Sequence, residues 1–281
     1  MENDFLDSPK LSGMTIFKAF MLVFFCVSLI HCIGLFFQAG FLFGFIDSSV
    51  QNTAKINLKP NTYGYFIAYI MFILIGLRVN NFDLPIFEKS NLTGYFKILV
   101  LSILWIAFCI FLNDLVTTKN IGTVVINQDF KGYFDLKESL RNINSLLYIV
   151  FYIGILGHGL LKNYNFNRVV IVLAFCSLPF LHPTVVLQYL FLNLILIFIY
   201  YHTRAFQLTL FFMVIAVIFD HVFALLYSPQ ELRYGNIIKD HIIGNEIAYY
   251  LFMALVLVLF LYILFSFKSH EKRKLWLNKS L

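Results

Sequence analysis

The sequence predicts an all-α, polytopic membrane protein with about eight transmembrane helices. Three observations predict it. The last apolar stretch, Ile247 to Phe267, has no ionisable side chain except tyrosines and is bounded by Glu246 and Lys268. A helix needs about 20 such residues to cross a hydrocarbon core about 30 Å thick. Composition agrees: 60% of the 281 residues are hydrophobic and 13% charged, with a mean hydropathy of +0.81, whereas a soluble domain is about half apolar and a quarter charged. Seven further stretches share the pattern without the two-residue alternation of barrel strands. Helices follow because lipid offers the backbone no hydrogen-bond partner.

In order, the expected spans are Ala19–Phe37 (extending toward Ile46), Tyr63–Leu77, Ile98–Leu112, Ser145–Leu161, Val169–Leu181, Val185–Tyr201, Leu208–Tyr227 and Ile247–Phe267. The second and fifth are short for a bilayer, so their ends are expected inside protein or among headgroups. They form one integral membrane domain over residues 1–281. Residues 1–144 hold the first spans and an external loop, 145–227 a helical core, and 228–281 a second external loop, the last span and a basic tail. Within the loop from Asn113 to Asn144, Gly122 opens a stretch expected to form a short hairpin arm or a re-entrant piece. Asp135 opens a short surface helix running to Asn144.

Lys268, Lys272, Arg273, Lys274 and Lys279 mark the tail as cytoplasmic. Eight spans then place both termini in the cytoplasm, in a cell inner membrane, with 13 of the 21 basic residues inside and 8 outside. The net charge of +6 is assigned to anionic lipid, not nucleic acid, because it flanks spans. Met1 to Pro9 is acidic where a signal peptide would be basic, so the first span is expected to be a retained anchor. Cys26, Cys32, Cys109 and Cys176 fall in spans as packing residues. The sequons at Asn91 and Asn278 fall on the cytoplasmic side and are discarded.

Ionisable residues at membrane depth are where function is usually written. They are His31, His158 between Gly157 and Gly159, His182 before Pro183, His202 with Arg204, and the pair Asp220-His221. Taken singly, each histidine reads as a neutral interhelical hydrogen-bonder. Taken together, His158, His182, Asp220 and His221 are the candidates for a buried polar or catalytic centre. Imidazole and carboxylate suit zinc, but no HExxH-like spacing is present, so no cofactor is expected and zinc enters only if the protein is an active enzyme. Asp220 needs a partner from another helix, with His182, His158 and Arg204 the candidates.

From Asn144 to Tyr227 the order of features resembles the CPBP intramembrane proteases, which include CAAX prenyl endopeptidases and bacteriocin-immunity homologues. Ile153-Gly-Ile-Leu-Gly-His158-Gly159-Leu-Leu161 sits in the frame of that family's EExxxRG motif. Ser177-Leu-Pro-Phe-Leu-His182 sits in the frame of FxxxH. Phe191-Leu-Asn193 through Thr203 resembles the long span and turn that follow. The departures are large: Ile153 and Gly154 stand at the glutamate positions, His158 at the arginine and Leu178 at the phenylalanine. Met213 and Val217 stand at the last HxxxN positions, leaving His182 as the single match. The resemblance implies a fold shaped like these proteases but without the carboxylate that takes the proton from water. The expected role is a non-catalytic pseudo-protease: a binding or structural subunit beside another membrane protein and membrane lipid, with no nucleic acid. The alternatives are an active enzyme on a prenyl, lipid or peptide substrate through the buried histidines, and a small transporter.

Overall fold

The computed structural model describes residues 12–42, 62–118, 136–180, 186–226 and 245–267. The helices are α1 (Ile16–Leu42), α2 (Thr62–Val79), α3 (Leu92–Thr118), α4 (Leu136–Ile149), α5 (His158–Asn163), α6 (Phe166–Ser177), α7 (Val186–Thr203), α8 (Phe206–Leu226) and α9 (Glu246–Ser266). A π-helical stretch, Val150–Gly157, joins α4 to α5, and a 3₁₀ turn, Leu178–Phe180, follows α6. Extended pairing among the described residues is one antiparallel bridge, Phe87 with Ala205.

Among the described residues, every expected apolar stretch falls on helix. Four are long and apolar enough to cross a membrane: Ile16–Phe36, Leu92–Cys109, Asn142–Asn163 and Ile247–Ser266. Tyr63–Val79, Phe166–Ser177, Gln188–Thr203 and Phe206–Phe219 are shorter apolar helices. One boundary needs correcting. The expected surface helix ending at Asn144 is not a separate element, because α4 begins at Leu136 and continues through the π stretch into α5. No proline or glycine separates the polar first turns from the apolar run, so nothing stops the helix. The arm at 122–127 lies outside the described residues.

The described chain divides into two compact units. The first holds α1, α2, α4, the π stretch, α5 and α6; the second holds α3, α7, α8 and α9. The 145–227 stretch contributes to both.

In the first unit, α2 packs on α4 and the π stretch along one stripe: Tyr69, Phe72, Gly76 and Asn80, all buried. Tyr69 meets Tyr148 edge-on, and Tyr148 stacks on Tyr152 at 5.2 Å between ring centres. A Cβ at Gly76 would run into Ile155, so the missing side chain lets the two backbones approach. Of the stretch Asn142–Asn163, 72% is buried against 33% or less in the other three membrane-length helices. This is the helix the first unit is built around.

In the second unit, α3 packs against α8 and α9, and α7 against α8. Helix α9 buries a narrow stripe, Tyr249, Met253, Val256, Phe260 and Leu264, while Leu251, Leu255, Val258 and Tyr262 are exposed. Spacings of three and four define that stripe as one helical face. The bare apolar remainder is a surface suited to lipid, not water. Phe260 lies against Trp105 and Phe108 of α3.

The chain also fixes which helix ends meet. Within the second unit, Phe206 N–H donates to Ile86 O (2.9 Å), Glu88 N–H donates to Arg204 O (3.1 Å), and Lys97 Nζ sits 5.5 Å from the Phe267 ring centre. The starts of α3 and α8 therefore share an end with the finishes of α7 and α9. At that end Arg204, with φ 50°, closes α7 through its N–H to Tyr200 O (2.8 Å), the αL form of helix C-cap.

Candidate functional site

The densest polar cluster among the described residues is at one end of the first unit, and it starts from how α2 stops. Phe82 N–H donates to Leu77 O (2.7 Å) and Asn81 N–H to Arg78 O (3.1 Å), the two bonds of a Schellman cap. Asn81 takes the left-handed conformation such a cap requires, with φ 59°. Phe82 stays left-handed too, at φ 55°, where a side chain costs roughly 1–2 kcal/mol. With Asp83 N–H donating to Asn80 O (3.1 Å), the two positive φ values give a type I′ pattern. The chain reverses at once, and Asp83 is brought to α5.

The other half comes from the π stretch. His158 N–H reaches back to Ile153 O, five residues earlier, as well as to Ile155 O. That wider register changes which carbonyls are taken up inside the helix. Asn80 Nδ2 donates to Ile155 O from α2 at 3.0 Å. Asn80 is 1% exposed, and its Oδ1 has no hydrogen-bond partner among the described residues. The amide lies close to Gly159, where an added Cβ would come within 2.8 Å of Met14 Cβ and 2.9 Å of Asn80 Nδ2.

Asp83 Oδ2 is the hub. It forms an ion pair with Lys162 Nζ and lies 3.4 Å from His158 Nε2. The Lys162 side chain is 7% exposed, His158 fully enclosed, and Asp83 38% exposed. The next residue after Lys162, Asn163, clasps the segment before α1. Its Oδ1 accepts from Ser12 N–H (3.1 Å), and its Nδ2 donates to Ser12 O (2.9 Å) and to Met14 O. Ser12 Oγ donates to Gly159 O (2.7 Å). Asn165 then opens α6, its Oδ1 accepting from Arg168 N–H at 3.3 Å.

Chemically, the cluster joins three elements at one end of the unit. An enclosed charge without a partner is costly, and the pairing of Lys162 with Asp83 offsets that cost. His158 is held against a carboxylate but has no exposed surface.

Of the residues expected to form a site, His158 is in this cluster. His182 lies outside the described residues. Asp220 and His221 lie on α8, about 21 Å along it from Phe206, and their side chains are outside what is described. Arg204, just before α8, is therefore too far to serve Asp220, and its carboxylate neighbour is Glu88 at 3.9 Å. His31 is exposed on α1, and His202 lies against the ring of Phe198, 4.3 Å between centres. Among the described residues no three His, Cys, Asp or Glu side chains are grouped to hold a metal ion. At the glutamate positions of the CPBP motif, Ile153 and Gly154 are buried in the π stretch.

Sequence reasoning missed Asp83, Lys162 and Asn80. A signal was available: the second and fourth spans are expected to finish on the same side, and Asp83 and Lys162, of opposite sign, lie within six residues of those finishes. No protein-family model, curated protein or solved structure matches the chain.

Proposed function

We propose that the chain is a non-catalytic binding or structural subunit of a membrane complex. It crosses a cytoplasmic membrane eight times with both termini inside, as a degenerate relative of the CPBP proteases. One observation carries the non-catalytic reading. Among the described residues, the histidine that lies beside a carboxylate, His158, is wholly enclosed, and that carboxylate is ion-paired with Lys162. A general base must come within hydrogen-bond reach of the proton it removes, and an imidazole with no surface presents nothing to a substrate.

The topology is supported by the shared helix ends. Ser12 before α1, the finish of α2, the finish of α5 and the start of α6 meet in the first unit. These are the ends that eight alternating passes put on one side. Lys18, Arg78, Lys162 and Arg168 are gathered there, as the positive-inside rule requires.

The competing enzyme reading has its own support: a π stretch, a feature frequent at functional sites, that delivers His158 to Asp83. One experiment separates the two. Photo-cross-linkers at Leu251, Leu255 and Val258 in native membranes are expected to capture one partner of fixed mass from a defined face. The purified chain is expected to leave prenylated and membrane-embedded peptides uncut. Cleavage that disappears in His158→Ala or His182→Ala would overturn the subunit reading.

A further inference from the structure

The gathered end of the first unit carries more than its internal ion pair. Lys18 is in the first turn of α1, with its Nζ donating to Gly13 O at 2.9 Å. Gly13 in turn abuts the finish of α2, since a Cβ there would run into Val79 O. Arg78 is in the last turn of α2, and Arg168 is in the first turn of α6. All three are exposed, and among the described residues none has a carboxylate partner, because Asp83 is engaged by Lys162. Arg168 is also placed against its helix's own field, which favours anions at that terminus. Three cations are thus held at one rim with no counter-charge among the described residues.

Beside them the chain holds apolar side chains outward. Phe82 is 72% exposed and Leu84 62%. Phe82 is kept there by a left-handed backbone at φ 55°, a conformation bulky residues avoid. Exposed aromatics next to cations at the end of apolar helices match the chemistry of a membrane interface, where rings lie at headgroup level and basic residues meet anionic lipid.

We propose that this rim is a docking surface for anionic phospholipid: Lys18, Arg78 and Arg168 take headgroup phosphates while Phe82 and Leu84 sink among the upper acyl chains. This inference rests on the reading that the helices cross a membrane. The charge complementarity selects lipid over a protein partner, because the patch pairs unneutralised cations with bare apolar side chains and lies level with the ends of membrane-length helices.

The test uses the full chain in phosphatidylcholine vesicles, with Trp105 and Trp276 replaced by Phe and one new tryptophan at a time. Phe82→Trp is expected to be quenched more by phosphatidylcholine brominated near the headgroup than near the bilayer centre. Leu255→Trp, midway along the exposed side of α9, is expected to show the reverse order. Brominated phosphatidylglycerol should quench Phe82→Trp severalfold more effectively than brominated phosphatidylcholine at equal mole fraction. That advantage should vanish in 1 M salt, and also in the triple variant Lys18→Gln, Arg78→Gln, Arg168→Gln. An unquenched Phe82→Trp beside a quenched Leu255→Trp would overturn the proposal and point to a protein-facing or water-facing rim. A phosphatidylglycerol advantage that survives in the triple variant would overturn it too. If Leu255→Trp is also unquenched, the membrane reading itself fails and takes the proposal with it.

Discussion

Removing either member of the Lys162–Asp83 pair should cost very different amounts, because the two side chains are 7% and 38% exposed. Asp83→Asn leaves an ammonium enclosed without a counter-charge. Stranding one partner of a fully buried pair costs about 3–5 kcal/mol. Water reaches the Asp83 side, so the expected cost here is lower, about 2–3 kcal/mol. Lys162→Met keeps the length and apolar stem of the side chain and leaves a carboxylate that water can solvate. Its expected cost is about 0–1 kcal/mol, since solvated pairs contribute little. The double variant should lie between the two and be more stable than Asp83→Asn alone, because it strands no charge. Denaturant titration of purified protein in mixed micelles, combined as a double-mutant cycle, reads all four states. Equal costs for the single variants, or a double variant less stable than Asp83→Asn, would refute the reasoning from exposure.

Four further outcomes are expected. Gly159→Ala should destabilise by about 1–3 kcal/mol in that titration, since its methyl would press on the Asn80 amide and on Met14 Cβ at 2.8 Å. Gly94→Ala, whose methyl would meet Leu208 Cδ1 and Ser90 Cβ at an ordinary 3.8 Å, should be neutral or stabilising. Asn80→Leu should cost about 0.5–1.5 kcal/mol by removing one of the two donors to Ile155 O, which keeps the His158 N–H, and Asn80→Asp should be worse because it replaces that donor with an acceptor. In a background with the four cysteines changed to Ala, Lys89→Cys should react with an impermeant maleimide only from the cytoplasmic face and Asn245→Cys only from the opposite one. Labelling from a single face at both positions would overturn the eight-pass topology.

The helices were legible because membrane-length apolar runs bounded by charge leave little choice of structure, and α9 follows its expected limits almost to the residue. The π stretch was not legible. Val150 to Gly157 is apolar throughout, and no side chain there announces a change of hydrogen-bond register. It is revealed by Asn80 reaching Ile155 O from another helix. The site was half legible. His158 drew attention as an ionisable group flanked by glycines, yet its carboxylate was sought on α8, where Asp220 looked costly. Asp83 escaped notice because it lies in what reads as a short loop, and only the double left-handed turn at Asn81 and Phe82 carries it back to α5. Such a turn is poorly encoded in Asn-Asn-Phe-Asp, since phenylalanine is an improbable residue for that conformation.

The bond from Ser12 to Asn163 joins residues 151 positions apart. At ribosomal speeds of about 5–20 residues per second, the amide that clasps the N-terminal segment is synthesised on the order of 8–30 s after its partner. During that interval α1 and α2 have been made with Asn80 and Asp83 uncovered, while α3, which belongs to the other unit, is already emerging. Assembly of the first unit is therefore a waiting problem: the early helices must be sheltered by the insertion machinery or by lipid until α5 arrives. Variants that weaken the α1–α2 contact at Gly64, where a Cβ would come within 3.2 Å of Ile30 O, should show their defect in yield during biosynthesis before they show it in the finished protein.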